Sequence, residues 1–384
     1  MVNKNEKIEA AILLSSYLDT LGFKNGQWEF NYRRDPQNVS QAIMANFTIV
    51  NHYMALGGFN NIDITDWKSS DDTLLIMATI KALIDGGKEI DYIKRYIEIY
   101  NELVKEERVS GMTTLKSISY LKKIIQKKSN TYLDKIPFDD KMGGNGAAIR
   151  TGPIGIFYSN NIDKIISESI VASRLTHNIP MGYLGGLVSA LFASYAFNGI
   201  DSWLWLDKLL ELVKSGKITK YINGTDIGNK HDKEINSYFS LWYKYKEDRL
   251  QNLLNFRGKS EFIHPKERLE ALSEYIPSEY FRNKDKERWY LLGASGLDSC
   301  IYAYDSLLMS LLLNERFEVD IDNPKYNPET FLFFSTLHVG DSDSTGAIAG
   351  FWFGALLGFN GFDTNKMKQL EFYKELKKLC NNFI

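Results

Sequence analysis

Gly340-Asp341-Ser342-Asp343-Ser344-Thr345-Gly346 opens an apolar run, Ala347 to Phe359, in which Gly346, Gly350, Gly354 and Gly358 recur every four residues. That period places them on one face of a helix. Each glycine costs a helix up to ~1 kcal/mol relative to alanine, so a compensating contact is required, and a neighbouring backbone lying against the glycine face supplies it. The reading is an all-α protein with this helix near its centre. The acids and hydroxyls at its start suit the free N–H groups and dipole of a helix N-terminus. Two carboxylates so close repel each other when buried and ionised, and a divalent cation held by hard oxygen ligands relieves that repulsion. Taken alone, the segment is equally well explained as an N-cap with a spare acid.

A second cluster shifts the balance. Ser69-Ser70-Asp71-Asp72-Thr73 precedes Leu74, Leu75, Met77, Ala78, Ile80 and Leu83, an apolar face at helical spacing closed by Gly86-Gly87. If the fold joins the two helix starts, four carboxylates and several hydroxyls line one pocket, and that charge density calls for two cations.

Composition narrows the class. The chain has 384 residues, 44% hydrophobic and 24% charged, as in a globular protein. Its net charge of -2 gives no basic surface for nucleic acid or an anionic membrane. The two cysteines, Cys300 and Cys380, form no disulfide framework, which fits a reducing, cytoplasmic setting. Glu6, Glu9 and Asp19 interrupt the first apolar pattern and argue against a signal peptide. The runs from Gly182 and Gly346 fall short of the ~18 apolar residues a membrane span needs.

Along the chain, helices are expected from about Lys7 to Leu21, ended by Asp19-Thr20 and Gly22, then over Gln41–Met54, Asp91–Glu106 and Tyr302–Leu313. Glu29, in the loop Asn25 to Phe30, is by default a solvated charge. Gly111 and Thr113 lie in a polar turn before another helix, a pattern that holds a phosphate through N–H groups or merely caps the helix. Gly143, Gly144, Asn145 and Gly146 form a small-residue stretch that admits a ligand or another helix. His177 precedes the glycine-rich run from Gly182 and is read either as a donor to an anion or as a packed histidine. Gly293, Ser295, Gly296 and Asp298 belong to another small turn. The stretch of about 215–290 is more polar and is read as outer helices with a loop near His264-Pro265. No strand pattern, dinucleotide fingerprint, Walker loop or C-x-x-C pair is present.

Taken together, the chain resembles the ADP-ribosylglycohydrolase family, most closely its ADP-ribosylarginine hydrolase branch. The matching pieces are Leu21-Gly22 with Asn25-Gly26 and Trp28-Glu29-Phe30, Ser70 to Thr73, Ile136-Pro137-Phe138, Gly143 to Ala148 with Arg150, Thr176-His177 with Gly182 to Gly185, Tyr304-Asp305, and Gly340 to Thr345. The resemblance implies one compact all-α domain over residues 1–384, an orthogonal helical bundle acting as a monomer. It implies a binuclear magnesium centre, with manganese as a substitute ion, held by Ser70, Asp71, Asp72, Asp341, Asp343 and Ser344. Gly111, Thr113, Gly143 to Gly146, His177 and the turn Gly293, Ser295, Gly296 and Asp298 would line the substrate, and Glu29 would ride a closing loop. Catalysis would fall to Asp71, Asp72 and Glu29, cleaving ADP-ribose from arginine of a modified protein. Two departures stand out. Leu291 and Leu292 replace the aromatic and histidine residues common in that turn, and Leu18 precedes Asp19 where glycine is usual. The alternatives are an ADP-ribose-binding protein without turnover, or a hydrolase of serine-linked or O-acetyl ADP-ribose.

Overall fold

The glycine face finds its partner in the first helix of the chain. In a computed structural model that describes residues 2–31, 36, 38–105, 108, 110–127, 132–139, 141–256, 265–276, 291–317 and 327–383, seven helices place the site. They are α1 (Lys4–Phe23), α2 (Asp71–Asp85), α3 (Met112–Ile124), α4 (Gly146–Arg150), α5 (Pro180–Phe197), α6 (Asp298–Phe317) and α7 (Ser342–Leu357). A Cβ on Gly354 would meet backbone atoms of Ala10 and Ala11 at 2.4 Å, and one on Gly350 would meet the Leu14 carbonyl oxygen at 2.7 Å. A Cβ on Gly346 would lie 3.1 Å from the Leu18 carbonyl oxygen. Successive turns of α7 therefore lie on successive turns of α1, backbone against backbone. Leu18, the unexpected residue, contributes to this seam: its Cδ1 stands 3.1 Å from the same Gly350 position. Gly358 departs from the expected row. The helix ends at Leu357, and Gly358 caps it with φ 66°.

The first helix is also longer than its sequence suggests. Asp19, Thr20 and Gly22 do not end α1, which continues to Phe23. Gly22 serves as a contact instead. A Cβ there would sit 2.6 Å from the Asp343 Cα and N, so the end of α1 rests on the first turn of α7. One turn back, Asp19 is carried into the space between α1, α2 and α7.

Every residue of α5 is buried, as expected for a helix apolar all round that forms the middle of a large core. Small residues set its neighbours close: a Cβ on Gly185 would strike the Gly296 carbonyl oxygen at 2.2 Å. Other helices, among them Val39–Ala55, Glu89–Lys105, Ile162–Arg174 and Pro328–Thr336, surround α1, α5 and α7. The described part of the 215–290 stretch includes the helices Asp232–Lys244 and Pro265–Ser273; the loop expected at His264 lies outside the described residues. Among the described residues there is no strand, only one isolated bridge, between Gly144 and Ser295. No helix among them is long and apolar enough to cross a membrane.

Candidate active site

The two acidic helix starts meet. Ser344 Oγ donates to Asp72 Oδ2 at 2.8 Å across 272 residues of sequence. Carboxylate oxygens of Asp19, Asp72 and Asp343 lie within 4.8 Å of one another, as do those of Glu29, Asp341 and Asp343. Asp343 belongs to both groups and joins them.

Each element positions its acid by local chemistry. Ser70 caps α2 by accepting the Asp72 N–H at 3.1 Å, and it donates its hydroxyl to Asp19 Oδ1 at 2.6 Å. Ser70 therefore spends its donor on Asp19. Thr73 Oγ1 holds the other Asp19 oxygen at 2.5 Å. Asp71 faces a different partner, since its Oδ2 accepts from Ser110 Oγ at 2.5 Å. Gly111 and Thr113 follow at the start of α3, and the Gly111 N–H also favours the charged form of Asp71. Phe30 N–H donates to the Gly340 carbonyl at 2.7 Å, and this bond brings the Glu29 loop against the α7 start. Glu29 is half-buried among acids rather than a solvated charge.

The electrostatics of these acids are one-sided. Burial pushes the Asp19 carboxyl up to about 7 and, with Asp341 adding, that of Asp71 to about 6. Burial, then the neighbouring carboxylates, holds Glu29, Asp72 and Asp343 well above the usual range, and burial raises Asp341 as well. No basic side chain is among the groups that act most strongly on Asp19, Glu29, Asp72 and Asp343. Buried, converging carboxylate oxygens without a cationic partner are the donor set that hard divalent cations take. These residues fit such ions.

A second wall, adjoining the acids, is built from two glycine turns tied together. Asn145 N–H donates to the Ala294 carbonyl at 3.2 Å and Gly296 N–H to the Gly143 carbonyl at 3.0 Å. Asn145 Nδ2 reaches both the Gly293 carbonyl at 2.8 Å and Asp341 Oδ2 at 3.0 Å, so the glycine wall holds one acid of the other wall. Asp298 organises its own turn: Oδ2 accepts the Gly293 N–H at 2.6 Å, and Oδ1 accepts from the Ser295 N–H and hydroxyl. Leu292, one of the departing leucines, accepts the Asp341 N–H at 2.8 Å. His177 does not start a helix. It lies between Ile162–Arg174 and α5, 2% exposed, with its ring against Gly144 and Gly146. Its Nδ1 is 2.8 Å from Thr176 Oγ1, which Arg150 Nη2 contacts at 2.6 Å.

Of the residues singled out in the sequence, Asp72, Asp341, Asp343 and Glu29 gather, Ser344 and Ser70 bind members of the gathering, and Asp71 borders it through Ser110. Asp19 is the member that sequence reasoning misses. Its one signal is an acid within an otherwise apolar stretch, one turn before Gly22, and that pattern also marks an ordinary helix end.

An all-α scaffold that gathers carboxylates of distant segments beside two glycine turns defines a class of site suited to divalent cations. Likeness to known proteins specifies it: the sequence model for ADP-ribosylglycohydrolase matches residues 2–384, and the chain belongs to that family. It is 33% identical over 402 aligned positions to ADP-ribosylhydrolase ARH1 of Dictyostelium discoideum, covering 99% of this chain and 93% of the relative. It is 32% identical to a protein of Acanthamoeba polyphaga mimivirus bearing the name of an ADP-ribosyl glycohydrolase, over 88% of this chain and 62% of that one. A solved structure described as an ADP-ribosylglycohydrolase-related protein complex shares the fold, with a TM-score of 0.54 and 17% identity over 99% of this chain and 97% of that chain.

Proposed function

We propose that the protein is a magnesium-dependent hydrolase that removes ADP-ribose from arginine side chains of modified proteins. The observation that carries this reading is the meeting of Asp19, Asp72 and Asp343 with Glu29 and Asp341 in two carboxylate groups that share Asp343. Full-length similarity to an ADP-ribosylhydrolase supports the substrate class, and the motif set of the arginine branch supports the linkage. Asp19, Asp72, Asp341, Asp343 and Glu29 would hold two divalent ions. When bound, such ions polarise substrate oxygens and lower the pKa of a bound water.

The chain's own residues do the rest. The glycine turns let the cleft backbone approach the diphosphate and ribose. Asn145 and Ser344 keep Asp341 and Asp72 in place. Cleavage breaks the bond from ribose C1″ to the guanidine nitrogen while a water oxygen bonds to C1″, through an oxocarbenium-like state. The water proton passes to a carboxylate, Asp71 or Asp72, and the hydrogen bonds these acids accept from Ser110 and Ser344 support that role. The same proton returns to the departing guanidine nitrogen, so the step balances, and Glu29 remains a member of the carboxylate set. The test is release of ADP-ribose from an arginine-modified protein with and without magnesium; no release in magnesium refutes the proposal. Leu291 and Leu292, in a turn where aromatic and histidine residues are common, favour including serine-linked and O-acetyl ADP-ribose as parallel substrates, and preference for one of them would move the linkage while keeping the chemistry.

A further inference from the structure

Behind the glycine turns sits a buried cation with no acid bonded to it among the described residues. Arg150 is 0% exposed, and its guanidinium donates to the Gly146 carbonyl, to the Ala172 carbonyl at 3.0 Å and to Thr176 Oγ1 at 2.6 Å. The Tyr96 ring stacks on it at 4.8 Å. Its partners are carbonyls, a hydroxyl and a ring face, none of which neutralises the charge.

The Thr176 hydroxyl has one proton. Its oxygen accepts from Arg150, which has only donors, and its remaining neighbour is His177 Nδ1 at 2.8 Å. The proton is satisfied only if it is donated to Nδ1, and a neutral imidazole that accepts at Nδ1 carries its own proton on Nε2. That Nε2 has no hydrogen-bond partner among the described residues, although the ring is 2% exposed. It is aimed at the glycine wall: a Cβ on Gly144 would lie 3.5 Å from it, and one on Gly146 would lie 3.2 Å from it and 2.9 Å from Cε1. Side chains at these two positions would cover the nitrogen, and glycine leaves it open.

We infer that Arg150, acting through the Thr176 hydroxyl, is a positioning residue that fixes His177 as the neutral tautomer presenting Nε2–H to the glycine-lined cleft. The recognised group is an oxygen acceptor of an anionic ligand. The unneutralised guanidinium behind the ring favours negative charge in front of it, and a neutral N–H donor binds an oxygen without needing to gain a proton. Burial, followed by the adjacent guanidinium, holds the ring well below its ordinary protonation range, in keeping with the neutral form. Assigning the ligand as the diphosphate of ADP-ribose rests on the function proposed above; the tautomer does not.

Two measurements separate these parts. Two-bond 15N–1H spectra of the free protein, with the His177 ring assigned through His177→Gln, are expected to show a protonated Nε2 and a bare Nδ1. Thr176→Ser should keep that pattern, whereas Thr176→Val should lose it and populate Nδ1–H. A wild-type ring protonated at Nδ1 or at both nitrogens, or a Thr176→Val spectrum equal to wild type, overturns the relay; if Thr176→Val fails to fold, the wild-type and Thr176→Ser spectra decide. Calorimetry with ADP-ribose should show Thr176→Val binding about tenfold more weakly and Thr176→Ser within about twofold of wild type. Equal binding by both variants overturns the ligand half. No ADP-ribose binding by the wild type overturns that half together with the proposed function, while the ring spectra still decide the relay.

Discussion

The two walls of the candidate site, the carboxylate groups and the glycine turns, pose opposite electrostatic problems. On one side, Asp19, Glu29, Asp72, Asp341 and Asp343 crowd together, and no basic side chain is among the groups that act most strongly on Asp19, Glu29, Asp72 and Asp343. On the other, Arg150 is buried without an acidic partner among those residues, and its hydrogen bonds run into Thr176 and the glycine turn. The negative wall is made of side chains from the chain's two ends and is completed by something positive from outside. The positive wall is made of backbone and one ordered histidine and awaits something negative. A ligand with an anionic middle and a polyol end, bound together with divalent cations, satisfies both. Charge is left unbalanced on each wall, and under the proposed function the ligand and ions would balance it.

Asp343, the acid shared by both carboxylate groups, is the place to break this contrast. Asp343→Asn should lower ADP-ribose release more than ~100-fold, beyond the range for a residue that merely supports a metal ligand. The same substitution should raise the thermal midpoint in chelator at neutral pH, because one member of a repelling set is removed. An unchanged midpoint in chelator would mean that the acids do not repel.

A pH series sharpens the same point. Carboxyls whose folded pKa is raised bind protons more tightly in the native state than in the unfolded chain. Their stabilisation is complete below the unfolded value near 4 and is lost as pH rises through the folded values, about 6 for Asp71 and about 7 for Asp19. Metal-free protein should therefore lose stability between about pH 4 and 7, by up to about 1.4 kcal/mol per pH unit for each carboxyl involved. Added magnesium should flatten the slope. Thermal midpoints in chelator and in magnesium across this window provide the check, and parallel curves would contradict the repulsion.

Asn145 joins the walls, so its effect is smaller and mixed. Asn145→Ala should weaken magnesium affinity or activity by roughly tenfold to a hundredfold, the range for residues that orient ligands, as read by magnesium titration of activity and of the thermal midpoint. Lys68 offers the near-silent comparison. Its side chain is 61% exposed in an ion pair with Glu371, and Lys68→Ala should change stability by no more than ~1 kcal/mol and leave turnover unaltered.

Much of this arrangement is legible in the residues alone. Acids among hydroxyls just before apolar helices mark both α2 and α7, because N-cap chemistry is local. The glycine row announces the α1–α7 seam through its cost to an isolated helix, although its last member, Gly358, is the cap. What stays hidden in one dimension depends on tertiary paths. Asp19 resembles a helix end because nothing local distinguishes a terminating acid from one buried a turn before the close contact at Gly22. Glu29 resembles a solvated charge because its burial comes from the Phe30–Gly340 hydrogen bond, which links residues over 300 apart. The use of Asn145 on Asp341 and the contact of the Thr176 hydroxyl with both Arg150 and His177 are geometric facts with no pattern along the chain.

The most direct test of the shared-cation claim is a crystal of the protein soaked in manganese and measured for anomalous scattering. Two peaks are expected, one bounded by Asp19, Asp72 and Asp343 and the other by Glu29, Asp341 and Asp343. Strong diffraction with no peak at either position, or Asp72 and Asp343 facing apart, would contradict it.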